Sequence, residues 1–293
     1  MMHPLVPIID QLRQEPSRTG SIIITVYGDA IVPRGGSLWL GTFLEFFKAL
    51  DIENGVVRTA MSRLAADGWL ERARSGRNSF YRLADKGRDT FAAAAEHIYL
   101  ARPPHWTGRF DLLMFPNGAG AGRDGLRDAL RNAGFGNPLP GLWIAPAGTA
   151  VPEEAADAIC LEAAVGPEGG EAGRRLIEAS WHLDRIADAY RAFLAAFEPL
   201  RAWIKEGGEL SDLDAFTARI LMIHQYRRII LRDPLLPEAM LAHDWPGRDA
   251  RRLCAEVYPA LLPGSERWLD QNGATEQGAL PPAGALLWDR FQD

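Results

Sequence analysis

Between Asn54 and Asp67 the apolar positions recur with a helical period. Val57, Ala60, Met61 and Leu64 fall at i, i+3, i+4 and i+7, which makes one stripe of a helix. The opposite face carries Arg58, Thr59, Ser62 and Arg63, and Gly68 is placed to stop the helix. Asn54 or Asp51 is the expected N-terminal cap, with Gly55 weakening the first turn. Upstream, "LWLGTFLEFFKALD" reads as an apolar helix. Downstream, "WLERARS" and "NSFYRL" flank Gly76 as a two-stranded hairpin tipped by Arg74, Arg77 and Asn78. A long helix then runs to about Leu100. The run "SIIITVYG" is β-branched enough to read as a strand, although short apolar runs are ambiguous.

Further along, "ARPPHWTG" breaks the pattern, because Pro103 and Pro104 forbid helix continuation. "RFDLLMF" reads as a strand and "DGLRDALRNAG" as a short helix closed by Gly134. "GLWIAP" and "AICLEAAV" are strand-like again, giving a β-α-β-β order of the split βαβ type. After the Gly-rich "GPEGGEAG", apolar residues at three- and four-residue intervals mark long helices in "WHLDRIADAYRAFLAAFEPLRAWI" and "LDAFTARILMIHQYRRIIL". The expected division is a loose arm over 1–20, compact segments over 21–100, 101–175 and 176–272, and a fraying Gly-, Ala- and Pro-rich tail over 273–293. The class is α+β.

Charge sharpens this picture at one place. The 293-residue chain carries formal net charge −6 and a pI near 5.6. Yet Glu53–Leu83 holds six arginines, Arg58, Arg63, Arg72, Arg74, Arg77 and Arg82, against three acids, Glu53, Asp67 and Glu71. An acidic chain is no general coat for nucleic acid, but it can still present a local basic face. Helix, turn, helix, basic hairpin is the order of a winged helix-turn-helix. A helix face of arginine and small hydroxyl residues suits base edges in the major groove. Hairpin residues Arg72, Arg74, Arg77 and Asn78 suit phosphates or the neighbouring minor groove. A solvated helix face with a salt-bridged hairpin would show the same pattern, so the residues alone leave both readings open.

Other constellations are weaker. Gly120, Gly122 and Gly125 stand in G-x-G-x-x-G order, but the next strand, "GLWIAP", ends without the acid that would meet a ribose. A flexible loop is expected there. Asp111 stands alone in its strand, as a structural hydrogen-bond partner does. Cys160 and Cys254 lack metal-ligand spacing and read as free buried thiols, and the histidines form no metal motif. No nucleophile elbow is present. His224, Arg227 and Arg228 in "HQYRR" form either an ion-paired helix face or cations for an anionic ligand. With no signal-peptide pattern and no apolar run near the ~20 residues a bilayer span needs, the expectation is a cytoplasmic protein without a membrane partner.

The blocks "TVYGDAIVPRGGSLWLGTFL", "VVRTAMSRLAADGWLERARSGRNSFYRL", "GFGNPLPGLWIAP" and "YRRIILRDPLLPEAMLAHDWPG" resemble successive blocks of the PaaX-like repressors of phenylacetic acid catabolism. The resemblance runs from about Ser21 to Leu269. It implies an N-terminal winged helix, a middle ferredoxin-like domain and a C-terminal helical domain, with "SIIITVYG" helical. It implies no enzyme activity and no cofactor. The implied partner is a double-stranded operator with an inverted repeat, bound by a homodimer and released by an aryl-CoA thioester such as phenylacetyl-CoA. By position, Arg58, Thr59, Ser62 and Arg63 fall on the recognition helix, with Arg74 and Arg77 on the wing. Glu53-Asn54-Gly55 departs from the small hydroxyl cap such modules often carry. The alternative from another class is a CoA-thioester-processing enzyme with an accessory DNA-binding module.

Overall fold

A computed structural model describes residues 3–14, 19–99, 107–115, 124–164 and 171–292. The elements in chain order begin with α1 (Val6–Gln14), α2 (Thr19–Val26), β1 (Ser37–Trp39), α3 (Leu40–Lys48) and α4 (Asn54–Ala66). The hairpin strands β2 (Leu70–Ser75) and β3 (Asn78–Leu83) and helix α5 (Asp85–Tyr99) follow. Next come β4 (Arg109–Met114), α6 (Asp124–Asn132), β5 (Gly136–Leu139), β6 (Leu142–Pro146), β7 (Ile159–Ala164) and α7 (Glu171–Trp181). The chain closes with α8 (Leu183–Lys205), α9 (Asp212–Ile230), α10 (Pro246–Asn272), β8 (Ala274–Thr275) and β9 (Gly278–Ala279). The class is α+β, with small antiparallel sheets. Contacts divide the chain into two units that are not linear in sequence. One gathers residues 1–100, 192–227 and 248–293, and the other residues 101–191 and 228–247.

In the first unit, "SIIITVYG" forms α2 and the π turn that follows it, Tyr27–Ile31, as the resemblance implies and against the propensity of its β-branched residues. The physical reason is burial. Ile22, Ile23, Val26, Tyr27, Ala30 and Ile31 are all at most 1% exposed, so the segment is enclosed on nearly every side. A helix buried all round shows no amphipathic period, and a few tenths of a kcal/mol per residue of helix propensity is small against ~1.5–3 kcal/mol per buried side chain. Strands β1, β3 and β2 form a three-stranded antiparallel sheet in that order. Val57 and Met61 are fully buried on the inner stripe of α4, which packs against α2 and α3. Neither Asp51 nor Asn54 caps α4. The N-cap is Glu53, in extended backbone and without a side-chain cap bond.

Ions lie inside this unit. Asp29, on the π turn, accepts from Arg219 Nε on α9 at 2.6 Å and from Arg290 Nη1 at 3.0 Å. The hydroxyls of Tyr99 and Tyr258 donate to Asp29 Oδ1 at 2.5 and 2.9 Å. Arg219 reaches Glu266 on α10 at 2.6 Å, and Glu266 also takes Arg34 at 2.9 Å. Arg34 closes the chain on Asp270. Three carboxylates thus meet three guanidinium groups, and both Asp29 and Arg219 are sealed from solvent. The tail beyond Asn272, expected to fray, instead folds into the β8–β9 hairpin and buries Leu280, Leu287 and Phe291. Its Gly, Ala and Pro content hides three apolar anchors spaced too widely for any period.

The second unit holds a four-stranded antiparallel sheet in the order β5-β6-β4-β7. Leu126 and Leu130 of α6 pack with Leu113, Phe135, Trp143, Ala145 and Ala155 on one face. Ile177, Trp181, Leu236 and Met240 pack with Phe110 and Leu112, which alternate with Leu113 on β4 and so share the other face. Strand β5, "GNPL", has no strand-like composition. It is an irregular edge strand, where Pro138 is tolerated, and Asn137 Nδ2 donates to the carbonyls of Leu139 and Leu142 at 2.8 and 2.7 Å. Asp111 accepts from the Gly148 amide at 2.8 Å, a structural bond. Of the G-x-G-x-x-G residues, Gly120 and Gly122 lie outside the described residues, and Gly125 is the second residue of α6.

Burial pushes the Asp29 carboxyl up, but Arg219, then Arg290 and the two tyrosine hydroxyls outweigh it and hold it below the ordinary carboxylate range. Its stabilisation is therefore complete above the unfolded-state value and is lost as pH falls through the depressed folded value. Asp29→Asn leaves Arg219 and Arg290 facing a neutral amide, so unfolding in urea at neutral pH should show a loss of about 3–5 kcal/mol. Between neutrality and about pH 3 the variant should also lose less stability than the wild type.

Candidate nucleic-acid interface

The inner stripe of α4 is anchored by Val57 and Met61, and that anchoring turns the other face to solvent. Arg58, Thr59, Ser62 and Arg63 are all exposed on it. The Thr59 hydroxyl bonds back to the Gly55 carbonyl at 2.9 Å, so its polar atom is already engaged and its methyl is left for contact. Val56, 47% exposed on the first turn, is a surface apolar residue that the helical pattern did not single out. Its exposure beside Gly55 and Arg58 follows only from how the stripe docks. No side-chain cap bond closes the N-terminus of α4, and the Val56 and Val57 amides donate to the Glu53 carbonyl at 3.0 and 3.2 Å.

The hairpin β2–β3 is in register from Leu70↔Leu83 to Ser75↔Asn78, with a two-residue turn at Gly76-Arg77. Gly76 has φ +58, the positive value that primed hairpin turns require. Strand alternation then sorts the arginines. Arg72 and Arg74 share one face, with Arg72 held by Ser79 at 2.8 Å and lying 5.9 Å over the Tyr81 ring. Arg82 belongs to the other face, opposite Glu71 and ion-paired to Glu276 at 3.2 Å. Arg77 and Asn78 sit exposed at the tip. Among the described residues, the side chains of Arg58, Arg63, Arg74 and Arg77 make no hydrogen bond or ion pair. Exposed guanidinium groups without a carboxylate partner keep their charge available for phosphate or guanine.

The three remaining candidates lie on α9. His224 is fully buried, its Nδ1 3.0 Å from the Thr25 hydroxyl of α2. Arg227 Nη2 donates to the Ser21 carbonyl and hydroxyl at 3.0 and 2.9 Å, and Arg228 is exposed. With Asp29–Arg219, these contacts make a polar ladder along α2 and the π turn at positions 21, 25 and 29. That ladder is invisible in sequence because its rungs join residues about 190 to 206 positions apart. Cys254 is buried, which pushes its thiol well up, and Cys160 is exposed, contrary to the expectation for it. Among the described residues, no group of three or more potential metal ligands occurs and no helix is long and apolar enough to cross a membrane.

Comparison with known proteins gives this geometry a family. A solved structure, an uncharacterised protein from Mycobacterium tuberculosis, is similar with a TM-score of 0.53 at 22% identity. The match covers 78% of this chain and 89% of that one, a likeness of fold. In sequence, the transcriptional repressor PaaX of Escherichia coli K12 is 36% identical over 284 residues, covering 92% of this chain and 89% of the relative. The family model for PaaX-like proteins matches residues 18–87, the segment that holds α2, both arginine-bearing elements and the start of α5. That for the PaaX-like C-terminal domain matches residues 181–271, which hold α8, α9 and the ion-bearing α10. The chain belongs to the PaaX-like family of transcriptional regulators.

Proposed function

We propose that this protein is a repressor that binds an inverted-repeat operator as a homodimer, through a winged helix-turn-helix formed by α2, α3, α4 and the β1–β3 sheet. The observation that carries the reading is the partnerless set Arg58, Arg63, Arg74 and Arg77, displayed on one helix and one hairpin of an otherwise acidic chain. Helix α4 acts as the recognition helix, with Arg58, Thr59, Ser62 and Arg63 toward base edges. Arg72, Arg74, Arg77 and Asn78 form the wing, meeting phosphates. The sheet order β5-β6-β4-β7 supports a ferredoxin-like middle domain in which the second crossover is reduced to the short turn Glu153–Ala155. The relative's name, a transcriptional repressor, supports a regulatory and non-enzymatic role, and with it a cytoplasmic site of action.

The effector in this reading is an aryl-CoA thioester, probed as phenylacetyl-CoA. Its phosphates call for cations and its aryl group for an apolar slot. A ligand that engages Arg227 competes with Ser21 for it, and α2 carries that change to α4, against which it packs. The ligand shifts the DNA-competent state only through unequal affinity for the two states.

Footprinting on the operator should protect two symmetric half-sites, and affinity should fall steeply with salt as counterions are released. Arg63→Ala should weaken specific binding by ~1–3 kcal/mol and relax base preference at its position. Arg77→Ala should instead lower affinity for every duplex and flatten the salt dependence. Mobility-shift titrations on matched and mismatched duplexes separate the two effects, and identical behaviour of the two variants would refute the placement.

Phenylacetyl-CoA should release the operator where phenylacetate does not. A tenfold loss of DNA affinity corresponds to ~1.4 kcal/mol of coupling, so operator must weaken thioester binding tenfold in return. Calorimetric titration with phenylacetyl-CoA, free CoA and phenylacetate, each with and without operator, measures both arms. Release by free CoA alone would remove the aryl slot, and turnover of the thioester would point to the enzyme alternative.

A further inference from the structure

The C-terminal segment does more than cover the first unit. Strands β8 and β9 pair as Ala274↔Ala279 and Thr275↔Gly278, which places Glu276 and Gln277 at the tip of a tight hairpin. Gly278 sits at φ +126, backbone that a side-chain-bearing residue rarely adopts. The base of this hairpin is fixed at two points, because Thr42 Oγ1 on α3 donates to the Asn272 carbonyl at 2.7 Å and Arg34 Nε donates to the Pro281 carbonyl at 2.6 Å. A little further on, the Gly284 amide donates to the Pro33 carbonyl at 2.9 Å. Position 273 is equally constrained, since a Cβ there would lie 2.6 Å from the Leu269 carbonyl and 2.9 Å from the Leu280 side chain.

The tip lands on the arginine-bearing sheet. Ser37 on β1 and Arg82 on β3 are register partners, side by side on one face. Ser37 Oγ donates to Glu276 Oε2 at 2.7 Å, and Arg82 Nη2 donates to Glu276 Oε1 at 3.2 Å. One carboxylate therefore spans two neighbouring strands, using a different oxygen for each. Strand β1 has only three residues and one pairing partner, so few ladder bonds hold it. Strand β3 is the centre of the sheet and one arm of the projecting hairpin. Burial pushes the Glu276 carboxyl up, but the bonds from Ser37, its own amide and Arg82 outweigh it and keep it ionised.

We propose that Glu276 is a positioning residue for the wing: it staples β1 to β3 from the C-terminal hairpin by pairing Arg82, which strand alternation turns to the face away from Arg72 and Arg74. The DNA-reading module is then composite, with its last part supplied from about 190 residues downstream. The consequence for DNA rests on the function proposed above, whereas the staple itself does not. Arg82, alone among the six clustered arginines in having a carboxylate partner in the described structure, is turned away from Arg72 and Arg74 by strand alternation and neutralised by this contact.

Amide hydrogen exchange on the full-length protein without DNA tests the staple directly. Loss of a charged hydrogen-bonded bridge should speed exchange in β1 and at the Leu83 amide, which bonds the Gly36 carbonyl, about tenfold in Glu276→Ala. Glu276→Gln keeps an acceptor for Ser37 and should retain most of the protection. Amides of the buried α9 segment Ile220–Ile223 report that the fold is intact and should be unchanged in both variants. Wild-type exchange in Glu276→Ala, or equally fast exchange in Glu276→Gln, overturns the staple. On operator DNA, Glu276→Ala should weaken binding several-fold while leaving base discrimination at the Arg63 position as in the wild type. Unchanged affinity would show that the wing does not depend on Glu276. A wild-type protein that binds no duplex defeats the functional reading, and the exchange data still decide the staple.

Discussion

The buried carboxylate of Asp29 is the constraint around which the first unit is assembled. It sits at a π turn at the end of α2, and its ligands arrive from four distant stretches: Tyr99 from α5, Arg219 from α9, Tyr258 from α10 and Arg290 from the C-terminal segment. Removing one ion from water without its partner costs several kcal/mol, so these elements stand or fall together. Charge balance extends the set. Glu266 takes both Arg219 and Arg34, and Arg34 takes Asp270, so three positive and three negative groups close on themselves. An apolar core fixes its helices through shape alone, since its contacts are non-directional. The network adds fixed donor and acceptor directions, and these define the rotation of α2 about its axis.

That rotation reaches the surface through packing. Helix α4 docks its Val57–Met61 stripe against the same core, and the direction of its arginines follows from how α2 and α3 are held. The hairpin obeys a different rule, the period-2 alternation of strands. Alternation puts Arg72 and Arg74 on one face and Arg82 with Glu71 on the other, where Glu276 neutralises it. Arginine in this protein thus has two uses that composition cannot separate. Arg34, Arg219 and Arg290 hold the interior together, while Arg58, Arg63, Arg74 and Arg77 stay partnerless at the surface. The acidic balance of the chain keeps stray positive fields small, so the basic face stands out locally.

Part of this was legible in the residues. The α4 stripe and its polar back, the hairpin about Gly76, the β-α-β-β run and the long C-terminal helices each rest on a local period, and each appears where its period predicts. Strand β5 did not show, because Gly136, Asn137 and Pro138 have no strand propensity and only the pairing with β6 makes them one. "SIIITVYG" misled in the opposite way: burial on nearly every side erased the helical period, and β-branching was all that remained to read.

What the sequence alone determined is therefore what depends on neighbours within a turn or a strand: where the elements with a local period lie, which face of α4 is polar, and that arginine is concentrated over residues 58–82. The tertiary structure decided which arginines are used and for what. Arg219 was one basic residue in a long helix until Asp29 met it across 190 positions, and Arg82 was one of six until Glu276 claimed it across 194. The tail after Asn272 looked featureless until Leu280, Leu287 and Phe291 found their places in the core. Ion pairs and isolated apolar anchors carry no period, so their partners are set only when the chain closes on itself.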